Sequence, residues 1–140
     1  IIRECQMFFK TFSVFALVLA SSSMSQAITL DCQVAPNASA GGYITERYVF
    51  QQDNGASEAI VSDGLILYFN DNQPLLAKVS SDTSKKIAFT WDVQITNNTG
   101  QQTRMLFRAS YFKADGTIIV RATASGFTNQ FEARGRCKTV

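Results

Sequence analysis

The chain contains no histidine. That absence removes Ser-His-Asp and Cys-His nucleophilic machinery and any zinc site built on imidazole. No Cys-x-x-Cys pair occurs, and the glycines form neither a GxGxxG pattern nor a P-loop. Thiol-redox motifs and phosphate-cradling loops are therefore missing as well. No apolar run reaches the roughly 20 residues that a membrane-spanning helix needs. Charge of either sign is scarce in excess: 13 basic against 11 acidic residues leave a formal net charge of +2. Such a balance gives no bulk attraction to nucleic acid. After Ala27 no stretch shows a helical period, and there is no internal repeat, low-complexity tract or linker.

What is present begins with a leader. From Met7 the order is one positive charge (Lys10), an apolar stretch over Thr11 to Ala20, and a small-residue exit over Ser21 to Ala27. Ser25 and Ala27 fit the small-x-small preference of a signal peptidase. Residues 1–27 are thus expected to be upstream sequence plus a cleavable signal peptide. Residues 28–140 are expected to form one exported domain, in the periplasm or outside the cell. Its charge is close to neutral, because Arg3, Lys10 and Glu4 leave with the leader. Cys32 follows Asp31, which is wrong for a lipidation site.

Of the three cysteines, Cys5 lies before Met7, leaving Cys32 and Cys137 near the two ends of the domain. In an oxidising compartment one disulfide between them is the parsimonious reading. It would close a loop of 105 residues. A loop near that size corresponds to about 4.7 kcal/mol in the loop-entropy model.

The rest reads as strands and turns. Pro36 to Gly42, Asp53-Asn54-Gly55, Asp63-Gly64, Asn70 to Pro74, Ser80 to Ser84, Asn97 to Gly100, Asp115-Gly116 and Ser125-Gly126 mark turns. Between them lie runs rich in Val, Ile, Thr, Tyr and Phe. Alternation is clearest late in the chain. Ile87, Phe89, Trp91, Val93 and Ile95 share one face, followed by Met105, Phe107, Ala109 and Tyr111, then Ile118, Val120, Ala122 and Ala124, then Phe127, Phe131, Ala133 and Cys137. Ile28, Leu30, Cys32 and Val34 alternate likewise, so both cysteines fall on inner faces. Tyr43 to Gln51, Glu58 to Ser62, Leu65 to Phe69 and Leu75 to Val79 complete the strands, with Leu65 to Phe69 apolar throughout. The expected fold is all-β: an antiparallel meander of about eight strands forming an up-and-down barrel closed by one disulfide, with a two-sheet sandwich as the alternative.

Functional candidates are few. Arg104, Arg108, Arg121, Arg134 and Arg136 point outward on successive strands, with Leu106, Phe112 and Ile119 between them. Together they are a candidate surface for an anionic partner such as a lipid headgroup, a glycan or an acidic protein. Phe89, Trp91, Phe107, Tyr111 and Phe131 form an inner stripe that is either core or the lining of a small-ligand pocket. Glu46, Glu58, Asp63, Asp92 and Glu132 are the carboxylates available for acid/base work. Asp63 and Asp115 precede glycine and read as turn residues. Asp92 and Glu132 fall on solvent faces. Glu46 would face inward if Ile44, Tyr48 and Phe50 do, and would then need a partner. No catalytic residue, metal ligand or cofactor site is assigned. Asn37-Ala38-Ser39 and Asn97-Asn98-Thr99 match the glycosylation pattern, and neither is expected to be used in a bacterial host.

Three stretches carry a resemblance: Ser62 to Phe69 (SDGLILYF), Phe89 to Asp92 (FTWD) and Phe131 to Cys137 (FEARGRC). From the leader through Cys137 the layout resembles small exported β proteins of bacteria. The resemblance implies an exported all-β domain and no particular activity. The Gly-x-Trp that lipocalins usually carry near the first strand is missing. Three functions follow as expectations: a non-enzymatic protein binding a macromolecule or envelope surface, a carrier of a small apolar ligand, and a carboxylate-dependent hydrolase.

Overall fold

A computed structural model describes residues 27–140. The expected leader and Cys5 lie outside the described residues, apart from Ala27. Eight antiparallel strands follow one another: β1 (Ile28–Ala35), β2 (Arg47–Gln52), β3 (Glu58–Ser62), β4 (Leu75–Asp82), β5 (Lys86–Thr96), β6 (Gln102–Phe112), β7 (Thr117–Ala124) and β8 (Gln130–Thr139). Each pairs with its chain neighbour, and β8 pairs with β1, closing the barrel. Closure leaves no sheet edge unpaired and decides the fold against the sandwich. One short helix, α1 (Gly64–Phe69), lies between β3 and β4. Among the described residues no helix is long and apolar enough to cross a membrane.

The alternation of the sequence becomes the two faces of the wall. Leu30, Cys32 and Val34, then Phe89, Trp91 and Val93, then Met105, Phe107 and Ala109, then Ile118, Val120 and Ala122 are all buried. Their rings touch. Phe50 stacks on Phe89 at 4.5 Å between centroids, and Trp91 stacks on Phe107 at 5.4 Å. Such pairs add about 0.5–1.5 kcal/mol each beyond the area they bury. Cys32 and Cys137 stand directly opposite on the β1–β8 ladder and are disulfide-bonded, with Cα atoms 3.9 Å apart. Gly135, two residues before, lies in the same seam. A Cβ there would come within 2.7 Å of Val34 Cα, so the seam closes this tightly only on glycine.

The two ends of the barrel differ. Short turns and both ends of the described chain occupy one rim. The connections 36–46, 63–74, 97–101 and 125–129 occupy the other. There Ile66 of α1 is fully buried, and the segment around Gly41 packs on Phe131. The Phe131 ring lies 5.1 Å from that of Tyr43.

Four expectations are corrected. Leu65 to Phe69 is not a strand. Asp63 caps α1 by accepting the Ile66 amide proton at 2.8 Å, and Ile66 turns inward while Tyr68 is 81% exposed. In a strand those two residues would share a face. Residues 43–46 precede β2 rather than forming its start; Glu46 is exposed, and its carbonyl accepts from the Val34 amide at 2.8 Å. Phe127 is not an inner residue. It sits in the β7–β8 turn, 65% exposed, because β8 starts only at Gln130. Ser80 to Asp82 extends β4 through a bulge between Val79 and Ser81, so the turn there is shorter.

Candidate functional site

The interior holds little chemistry. Of the inner stripe, Phe89, Trp91, Phe107 and Tyr111 are buried and Phe131 partly so. Trp91 packs against Tyr48, Phe50 and Phe107. Among the described residues Asp63 is the buried carboxylate. It accepts the Thr45 hydroxyl proton at 2.6 Å and the Ile66 amide proton at 2.8 Å. Burial pushes its carboxyl up, against the pull of those hydrogen bonds. Thr45 also donates its amide to the Tyr48 hydroxyl at 3.1 Å, and burial pushes that phenol up. This network joins the 43–46 segment to α1 and is fully engaged in holding that rim together. Among the described residues no three His, Cys, Asp or Glu side chains are grouped to hold a metal ion. Asn37 and Asn97 are engaged as turn caps: Asn37 accepts from the Ser39 amide, and Asn97 accepts from the amides of Thr99 and Gln101.

The outer wall is richer. Strand register sets two rows of side chains across it. One row runs Glu58, Lys78, Thr90, Arg108, Arg121, Glu132, from β3 to β8. Beside it run Asp92, Leu106, Thr123 and Gln130 on β5 to β8. Leu76 on β4 adjoins them and is 66% exposed, and Leu106 is 41% exposed. Between these rows lies a groove of about 780 Å³, lined by Leu76, Lys78, Arg104, Leu106, Arg108 and Arg121 among others.

The arginines divide by partner. Arg104 pairs with Asp92 at 2.7 Å, and Arg121 with Glu132 at 2.8 Å. The Arg121 guanidinium holds the Glu132 carboxyl below the usual range, with Arg134 adding to the effect. Among the described residues Arg108 makes no ion pair. Its cross-strand neighbours are Thr90 and Arg121. Side chains directly opposite on an antiparallel ladder have Cβ atoms about 5 Å apart, and like charges so placed destabilise. The groove thus carries Lys78, Arg104, Arg108 and Arg121 against Glu58 and Asp92.

No known family, curated protein or solved structure matches the chain.

Arg104, Arg108 and Arg121 of the candidate surface therefore share one groove. Arg134 and Arg136 do not line it. Arg134 reaches Glu132 at 3.3 Å and borders a small cleft with Asn37 and Ser39. Arg136 lies toward the opposite rim and donates to the Asp115 carbonyl at 3.4 Å. Of the interleaved apolar residues, Leu106 joins the groove, whereas Phe112 and Ile119 do not. Leu76, Lys78, Thr90, Thr123 and Gln130 were not among the sequence candidates. Each sits at an outward position of an alternating strand, so correct hairpin registers would have placed them.

Proposed function

We propose that this chain is an exported, non-enzymatic β-barrel domain that binds an anionic partner through the outer wall of β4 to β8. The observation that carries the reading is Arg108. Arg108 stands directly opposite Arg121 on the β6–β7 ladder and is paired with no carboxylate among the described residues, and like charges in that register raise the energy of the unliganded wall. A bound anion accepting from Arg108 and Arg121 would relieve that repulsion and form charge-assisted hydrogen bonds. The hydroxyls of Thr90 and Thr123 and the amide of Gln130 add donors in the same groove. Of the carboxylates available for acid/base work, Asp63 is committed to α1 and Thr45, and Asp92 to Arg104.

The test compares the wild-type domain with Arg108→Glu on three probes: immobilised heparin, phosphatidylglycerol vesicles and an acidic peptide. Wild type is expected to bind at least one in a salt-dependent manner, and the variant to bind that probe at least tenfold more weakly. No binding to any of the three, or equal binding by the variant, overturns the proposal. Export is tested separately by expressing the chain from Met7. A processed N-terminus at Ile28 supports it, and an unprocessed cytoplasmic product refutes it.

A further inference from the structure

We infer that the partner is an extended protein segment of about six residues in which acidic and apolar side chains alternate. The inference rests on the anionic-partner reading above and narrows it. Three features of the groove select this class.

The first is its two-sided lining. Lys78, Arg108 and Arg121 lie along one row, while Leu76 and Leu106 lie beside them in the groove. Successive side chains of an extended chain point to opposite sides. A segment laid along the groove would therefore present its acids to the basic row and its apolar side chains to the leucines.

The second is mixed charge. Glu58 and Asp92 also line the groove, with Asp92 held by Arg104 at 2.7 Å. A uniformly anionic polysaccharide would meet those carboxylates and gain little from exposed leucine, and a flat anionic bilayer laid on the wall could not reach the basic row without also meeting Glu58 and Asp92. An apolar side chain gains directly by covering Leu76, which is 66% exposed.

The third is span. From β4 to β8 there are four inter-strand steps of about 4.8 Å, or about 19 Å in all. At about 3.3 Å per residue, an extended segment covers that distance in about six residues. The closed barrel offers no edge strand for such a segment to extend, so side-chain contacts with the outer wall must hold it.

The experiment uses fluorescence anisotropy with two labelled six-residue peptides, one alternating leucine and glutamate, the other serine and glutamate. Phosphatidylglycerol vesicles serve as a third probe. The proteins are wild type, Arg108→Glu and Leu76→Ser. The leucine peptide is expected to bind wild type at least tenfold more tightly than the serine peptide, and both variants to lose at least tenfold. The inference is overturned, with the anionic-partner reading intact, if both peptides bind equally or only vesicles bind, with Arg108→Glu still defective. It is also overturned if Leu76→Ser binds the leucine peptide like wild type. If Arg108→Glu changes binding to none of the probes, both readings fall together.

Discussion

Replacing Arg108 with glutamate should make the protein more stable while disabling the groove. In the native wall Arg108 faces Arg121 directly across the β6–β7 ladder. Cross-strand charge pairs are worth about 0.2–1 kcal/mol, unfavourable when alike and favourable when opposite. Reversing one member exchanges a repulsion for an attraction. Arg121 already holds Glu132 at 2.8 Å, which places the gain in the lower part of that combined range. About 0.5–1 kcal/mol is expected, corresponding to roughly 2–4 °C in Tm for a domain of this size. Arg108→Gln removes the repulsion without adding an attraction and should give about half that shift. Thermal unfolding followed by circular dichroism at low ionic strength measures both. At about 1 M salt the Debye length is near 3 Å, so the gain should largely vanish. A variant that melts at or below wild type at low salt, or a gain indifferent to salt, would show that the two guanidinium groups do not repel one another. A stabilised variant has a further use: loss of ligand binding in it cannot be ascribed to unfolding. Strain kept at a binding surface at the expense of stability is a common pattern.

Three other outcomes follow from the fold. Cys32→Ser combined with Cys137→Ser should lower the guanidinium unfolding free energy by up to about 4.7 kcal/mol, the loop-entropy ceiling for this separation. A loss below about 1 kcal/mol would mean that the β1–β8 seam holds without its bridge. Gly135→Ala should cost about 1–3 kcal/mol or more, because the added methyl meets Val34 and Gln33 backbone that cannot step aside; an unchanged Tm would contradict the close approach. Asp63→Asn tests linkage. Burial raises the folded Asp63 carboxyl above its ordinary value of 3.8, so the stability from this group is fully present below that value and is lost as pH rises through the folded one. The variant should gain on wild type between pH 4 and pH 7 in urea titrations, and a constant difference would refute the shift. Asp31, Asp115 and Glu132 have the opposite sign, held low chiefly by hydrogen bonds from Arg47, Thr117 and Arg121. Both proteins should therefore lose stability on acidification below about pH 4.

The later strands were legible because their alternation is long. Ile87 to Ile95 and Met105 to Tyr111 each repeat the inward pattern at least four times, and a slip of one residue would send every one of those side chains to water. The disulfide was legible for a related reason, since both cysteines fell on inner faces near the two ends of one domain. Leu65 to Phe69 misled because five consecutive apolar residues carry no period. A helical turn and a doubly covered strand then look alike. The discriminating signal was Asp63, which reads as a turn residue beside Gly64 but acts as a helix cap. Glu46 and Phe127 misled by extrapolation: alternation was continued past the point where the backbone leaves the ladder. The candidate surface was half legible. Outward arginines can be identified from parity within one strand. Which of them face one another depends on register between strands, and that is fixed by turn geometry. Hence the sequence marks Arg108 and Arg121 as outward without showing that they stand opposite one another, and it does not bring Leu76 and Lys78 to the same groove.

The ladder that closes the barrel differs from the other seven in one respect. Those seven join neighbours along the chain and can form as local hairpins. The eighth joins strands whose bridged cysteines are 105 residues apart. Loop closure over that length must precede any reward from the contact, which places the seam late on the folding route. Until it shuts, β1 and β8 each present an open edge to other unfinished copies. The bond between Cys32 and Cys137 lies across that seam and holds it shut once the two strands have met, so it opposes reopening of both edges, a benefit separate from its contribution to the finished fold.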